Sequence, residues 1–151
     1  MTTVAAKAGE MAADTQCTWD YSIRVQKVFR LKDGGVVGMA GNAGRGYAAA
    51  QWMVNGEEGE PPKMKGASLL ILRPDGSLWV ADDEFPAFPL LDKEAAIGSG
   101  AQAAMLAMRA GASAGDAVKQ VAKIDPYTSD PVQALRIDPV AKVRRRNRGT
   151  T

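Results

Sequence analysis

The chain opens Met1-Thr2-Thr3-Val4-Ala5-Ala6-Lys7-Ala8-Gly9-Glu10-Met11-Ala12-Ala13-Asp14. Thr2 to Ala6 reads as a short strand. Lys7 to Glu10 reads as a tight turn in which Gly9 supplies a positive φ, and Met11 to Asp14 as the returning strand. Such a hairpin brings Asp14 back beside the start of the chain. Removal of Met1 would leave Thr2 with a free α-amine and a hydroxyl on one residue. That is a nucleophile with its own general base, because the amine can take the hydroxyl proton as the oxygen attacks a carbonyl. Thr is small enough in the second position for ordinary methionine removal to be expected. Many chains begin Met-Thr with no chemistry there, so the weight falls on residues downstream.

A length of 151 residues suffices for about one domain with a real core, and 46% apolar with 24% charged residues fit a soluble globular protein. No apolar run is long enough to cross a bilayer, and no basic segment followed by an apolar stretch marks a secretory signal. The single cysteine, Cys17, rules out an intrachain disulfide, and a cytoplasmic setting is expected. The absence of histidine removes Ser-His-Asp and Cys-His nucleophilic mechanisms and His-based metal sites. A hydrolytic base must then be a carboxylate, a lysine or the terminal amine. The net charge is +2, but from Asp138 onward Lys142, Arg144, Arg145, Arg146 and Arg148 face one acid. This 138–151 tail carries about +4 and is expected to be disordered. The body before it is slightly acidic and offers no general nucleic-acid surface.

Along the chain, Thr15 to Gln26 has no readable period. Val25 to Leu31 alternates as a strand, Asp33-Gly34-Gly35 turns, and Val36 to Ala40 returns. Gly41 to Gly44 reads as a loop opening a helix from Arg45 to Val54, and Asn55 to Gly66 as an exposed connection. Ala67 to Leu72 and Ser77 to Ala81 flank Pro74-Asp75-Gly76 as a hairpin. Phe85 to Pro89 is irregular or edge structure. Ala96 to Gly100 is a strand running into a glycine turn. Ala101 to Ala110 is the strongest helix. Ser113 caps a second from Ala114 to Lys123, with Asp116 at its third position. Asp125 to Thr128 turns, and Val132 to Ile137 is the last strand. Composition and pattern give a compact α+β fold with antiparallel hairpins and helices on the sheet faces.

Six short motifs recur in a family's order: Thr2-Thr3-Val4, Ala13-Asp14, Lys27-Val28, Gly38-Met39-Ala40-Gly41, Ile97-Gly98-Ser99-Gly100 and Asp125-Pro126-Tyr127-Thr128. The sequence resembles the N-terminal-threonine (Ntn) hydrolases, the proteasome β-subunits and the HslV peptidase. It is most similar to short HslV-like proteins of the kind encoded by phages and prophages. The resemblance covers residues 2–137 as one domain and implies a four-layer αββα sandwich, two antiparallel sheets between helical layers. It implies a threonine peptidase that cuts peptide bonds through an acyl-enzyme on Thr2. Lys27 would sit beside the hydroxyl, where an ammonium disfavours protonation of an amine that titrates near pH ~8. Asp14 would fix Lys27, the Gly41 N–H would serve the oxyanion hole, and Ser99, Asp125 and Thr128 would orient the terminal amine. Taken singly, each has a plainer reading: Lys27 and Asp14 a surface ion pair, Ser99 a helix cap, Asp125-Pro126 an ordinary turn.

By the same resemblance, Cys17, Val25, Phe29, Met39 and Ala43 form the primary substrate pocket. All are apolar, so apolar side chains on the acyl side of the cut bond are expected; their other reading is sheet core. No cofactor is required. In HslV the turn matching Ala122 to Thr128 offers carbonyls to a monovalent cation, whereas Asp125-Pro126 is nearer the proteasome pattern, so a cation stays open here. The resemblance further implies a polypeptide substrate and a homo-oligomer, a ring with an ATPase unfoldase as gate. The tight first hairpin and the short segment before Ala67 leave the ring size open. Two alternatives stand: a small-molecule amidase on the same fold, or an inactive structural or assembly subunit whose Arg-rich tail binds nucleic acid or an acidic partner by charge.

Overall fold

The computed structural model describes residues 2–137. Met1 and the basic 138–151 tail, with the expectations placed on them, lie outside the described residues. Strands β1 (Thr3–Lys7), β2 (Glu10–Ala13), β10 (Glu94–Gly98) and β11 (Gln133–Arg136) form a four-stranded sheet in the order β10-β1-β2-β11. Strands β5 (Val28–Arg30), β6 (Val36–Gly41), β7 (Ala67–Leu72), β8 (Leu78–Asp82) and β9 (Phe88–Pro89) form a five-stranded sheet in chain order. Every pairing is antiparallel. Helix α1 (Ala43–Val54) covers the outer face of the larger sheet, and α2 (Ala101–Arg109) with α3 (Ala114–Val121) covers the smaller. The result is the expected four-layer αββα sandwich.

The layering follows from the period-two alternation of the strands. In β1, Val4 and Ala6 point between the sheets, where Met11 and Ala13 of β2 meet Val28, Val36, Leu70, Leu72 and Leu78. Ala5 and Ala12 point the other way, onto Ala104, Met108, Ala117, Val118 and Val121 of the two helices. Small residues on that face let the helices lie close. Val37, Met39, Leu69 and Ile71 face Ala49, Ala50 and Met53 of α1. The sheets approach closely at Gly38, where a Cβ would stand 2.6 Å from Val4 Cγ1 and 2.8 Å from Met11 Sδ. Among the described residues no helix is long and apolar enough to cross a membrane.

Several boundaries differ from the sequence reading. Helix α1 begins at Ala43, not Arg45, because the Asn42 side chain caps it by accepting from the Arg45 N–H at 3.0 Å. The segment without a readable period forms a small hairpin, β3 (Gln16–Thr18) with β4 (Ser22–Arg24), whose three-residue strands are too short to show an alternation. Strand β5 is shorter than Val25 to Leu31, and β10 starts earlier, at Glu94. Helix α3 ends at Val121; its start is as read, with Ser113 Oγ accepting from the Asp116 N–H at 3.1 Å.

In the first turn, Ala8 (φ 51°) as well as Gly9 (φ 77°) is left-handed. A two-residue hairpin loop of this form favours Asn-Gly, and an alanine there is strained. Ala8→Asn is expected to stabilise the fold by about 0.5–1 kcal/mol, read as a higher urea midpoint at unchanged slope.

Candidate active site

Strand pairing brings the site together. Val4 lies opposite Ala13, and Thr3 lies opposite Gly98. Asp14 therefore follows β2 beside Thr3, and Ser99 follows β10 beside Thr2. Thr2 shares the parity of Val4 and Ala6, so its side chain sits at the inter-sheet edge. There it meets Lys27, which immediately precedes β5 of the other sheet.

Lys27 is 2% exposed. Its Nζ donates to Thr2 Oγ1 at 2.6 Å, to Asp14 Oδ1 at 2.9 Å and to the Gln16 carbonyl. These use all three ammonium hydrogens. Burial pushes the Lys27 ammonium below its ordinary value, and the hydrogen bond and charge of Asp14 oppose that shift. Asp14 is fully buried and meets four donors: the Thr3 N–H (3.1 Å) and Lys27 on Oδ1, the Gln16 (3.1 Å) and Ser129 (3.3 Å) N–H groups on Oδ2. The pair is thus a buried one and not a surface ion pair.

A second cluster adjoins the first. Asp125 Oδ2 accepts from Ser99 Oγ at 2.7 Å and from Thr128 Oγ1 at 2.8 Å. Thr128 Oγ1 lies 2.7 Å from Thr3 Oγ1, and Ser99 Oγ, whose one proton faces Asp125, lies 3.4 Å from the Thr2 carbonyl. Burial would raise the Asp125 carboxyl, but the Tyr127 N–H and the Ser99 and Thr128 hydroxyls outweigh it and hold the group below its usual 3.8. Ser99 is not a helix cap: the cap of α2 is Gly100, with no side-chain bond.

A cavity opens beside Thr2, lined among others by Cys17, Val25, Met39, Gly41 and Ala43. Gly41 takes a positive φ of 86°, a conformation side chains rarely adopt. Phe29 is not among the lining residues. Its ring lies in the core under α1, edge-on to Tyr47 with centroids 5.9 Å apart. Lys27 thus contacts both Thr2 and Asp14, Ser99 reaches the Thr2 carbonyl, and Asp125 and Thr128 join through Ser99 and Thr3.

Sequence reasoning missed four participants. Thr3 links the two clusters, Gln16 lines the cavity and receives Lys27, Asn42 lies on the rim, and Gln133 bonds the backbone of Lys27. A capping signal was available for Asn42. Gln16 lay in the unread segment, and nothing local distinguishes Gln133. Chemically, a hydroxyl held by a buried ammonium, beside an apolar cavity and a polar cluster, is suited to nucleophilic attack on a carbonyl.

No protein-family model and no curated protein sequence matches the chain. Solved structures do. The Thiobacillus denitrificans protein BPH, solved alone and in complex with epoxomicin, superposes with a TM-score of 0.65 at 20% identity; with epoxomicin bound, the match covers 91% of this chain and 99% of that one. The eukaryotic HslV from Trypanosoma brucei superposes with a TM-score of 0.63 at 19% identity, covering 89% and 98%. The chain has the Ntn-hydrolase fold these structures share.

Asp14→Asn leaves the Lys27 ammonium buried without its counter-charge and is expected to cost about 3–5 kcal/mol in chemical denaturation. Because the folded Asp125 carboxyl titrates below its unfolded value, the stability it adds is present above pH 3.8 and lost as pH falls through the lower folded value. Asp125→Asn should flatten that part of the acid limb in a plot of urea midpoint against pH.

Proposed function

We propose that the chain is a threonine peptidase of the N-terminal-nucleophile type, with Thr2 as nucleophile once Met1 is removed. The observation that carries this reading is the 2.6 Å contact from a buried Lys27 Nζ to Thr2 Oγ1. Both groups are buried, and a desolvated lysine aimed at a hydroxyl, rather than only at its counter-ion Asp14, is a perturbed group of the kind that clusters at functional sites.

In this mechanism the Thr2 amine takes the hydroxyl proton while Oγ1 attacks the scissile carbonyl. Lys27 stabilises negative charge developing on Oγ1 and, through its own charge, helps keep the amine unprotonated. The Gly41 N–H receives the carbonyl oxygen as it becomes an oxyanion. The tetrahedral intermediate collapses to an ester on Thr2, and the departing amine takes the proton held by the Thr2 amine. Water, deprotonated by the same amine, then hydrolyses the ester and regenerates the hydroxyl. Ser99, Asp125 and Thr128 hold the amine. Every role falls to a group of the chain itself.

The apolar lining of Cys17, Val25, Met39 and Ala43 supports a preference for an apolar side chain on the acyl side. A polypeptide substrate, a cytoplasmic setting and a homo-oligomer with its sites facing a shared chamber accompany this reading. An ATPase partner and a phage-type origin belong to the same resemblance.

The test is intact-mass spectrometry before and after exposure to epoxomicin, the compound held by BPH. The expected result is loss of Met1 and a single adduct, kept in Thr2→Ser and absent in Thr2→Ala. Met1 retained throughout and no adduct would overturn the peptidase reading in favour of a structural subunit.

A further inference from the structure

We propose that Gln133 is a positioning residue of this site: its side-chain amide clamps the two backbone segments that carry Asp14 and Lys27, and so sets where the lysine meets Thr2. For its catalytic consequence the inference rests on the peptidase reading above; the clamp itself rests on geometry alone. Strands β11 and β5 are edge strands of different sheets, each bonded to a single neighbour in its own sheet. The Lys27 segment thus lies at the open edge of the sandwich, where no further strand continues its ladder.

Gln133 fills that place. Its Oε1 accepts from the Lys27 N–H at 2.9 Å and the Val28 N–H at 3.4 Å. Its Nε2 donates to the Asp14 carbonyl at 2.9 Å and the Val25 carbonyl at 3.1 Å. These four bonds use the whole capacity of a primary amide, two donors and two acceptor positions. The Lys27 carbonyl is taken by the Met39 N–H at 3.0 Å, and the Asp14 N–H by the Thr3 carbonyl at 3.2 Å. The backbones of both members of the ion pair are therefore pinned on two sides, and one amide supplies a side of each. Gln133 does not bond Thr2, so it acts through Asp14 and Lys27.

The chemistry is specific to glutamine. Glutamate has the same length but, ionised, can only accept, and it would turn an acceptor on two carbonyls. Methionine fills similar space without the bonds. Asparagine is one methylene short. Gln26 is a natural control: its Nε2 donates to the Val28 carbonyl at 2.9 Å, and among the described residues its side chain bonds neither Asp14 nor Lys27.

The test uses the full chain and two readouts. One is the epoxomicin inactivation rate, split into kinact and KI. The other is the titration of Lys27, followed by NMR of carbon-labelled lysine and assigned with Lys27→Arg. Gln133→Met should lower kinact about a hundredfold, since a displacement near 1 Å costs that much, while KI stays within about twofold. The same variant should move the Lys27 titration back toward the ordinary lysine range as water enters. Gln133→Glu should behave likewise at neutral pH and, as pH falls and its carboxyl takes up the one proton it can donate, recover part of its rate relative to the parent at the same pH. Gln26→Met should change neither kinact nor the titration.

A kinact for Gln133→Met within about threefold of the parent, or an equal loss in Gln26→Met, would overturn the proposal. If the parent takes no adduct, the peptidase reading fails, and the Lys27 titration in Gln133→Met alone decides the clamp: shifted supports it, unchanged sinks it. If Gln133→Met does not fold, the pH dependence of Gln133→Glu decides in its place, with recovery in favour and a flat profile against.

Discussion

The buried ion pair between Lys27 and Asp14 is the constraint around which this molecule is arranged. Removing two charges from water costs several kcal/mol per ion, and their attraction repays it only when every remaining donor and acceptor is met. Here they are met from all sides. Asp14 takes four donors and Lys27 gives three, from segments at both ends of the chain. Among the described residues no buried side-chain nitrogen or oxygen lacks a partner. A pair so fully bonded cannot shift by half an ångström without breaking something, which is the property a reacting centre needs.

The sandwich supplies that rigidity. Thr2 and Asp14 belong to the smaller sheet and Lys27 to the edge of the larger, so their separation is the separation of the sheets. Gly38 and the small side chains Ala6 and Ala13 set that spacing. Packing in the middle layer and geometry at Thr2 are therefore one quantity, and a bulkier residue between the sheets would be felt at Thr2 Oγ1.

Much of this was legible in the sequence. The hairpin at Lys7 to Glu10, the Ser113 cap and the glycine-punctuated strands carry local signals, and local signals survive folding. The catalytic candidates could be named because a terminal threonine, a lysine and two aspartates fell in a known order. What was illegible has a common cause. Thr15 to Gln26 pairs as two strands of three residues each, too short to show a period. Phe29 was placed in the pocket by resemblance, but its ring packs under α1, and strand parity alone could not say which cavity that face serves. Gln133 bonds only backbone groups more than a hundred positions away, and backbone donors and acceptors leave no trace in residue types.

The span of those bonds has a consequence for the order of folding. The setting of Thr2 is closed by Thr128, 125 positions from Thr3, and by Gln133, 119 positions from Asp14. The first hairpin alone has the Thr2 hydroxyl but not the groups that seat the lysine beside it. The contact between Lys27 and Thr2 is therefore a late product of folding, completed only when distant parts of the chain have joined both sheets.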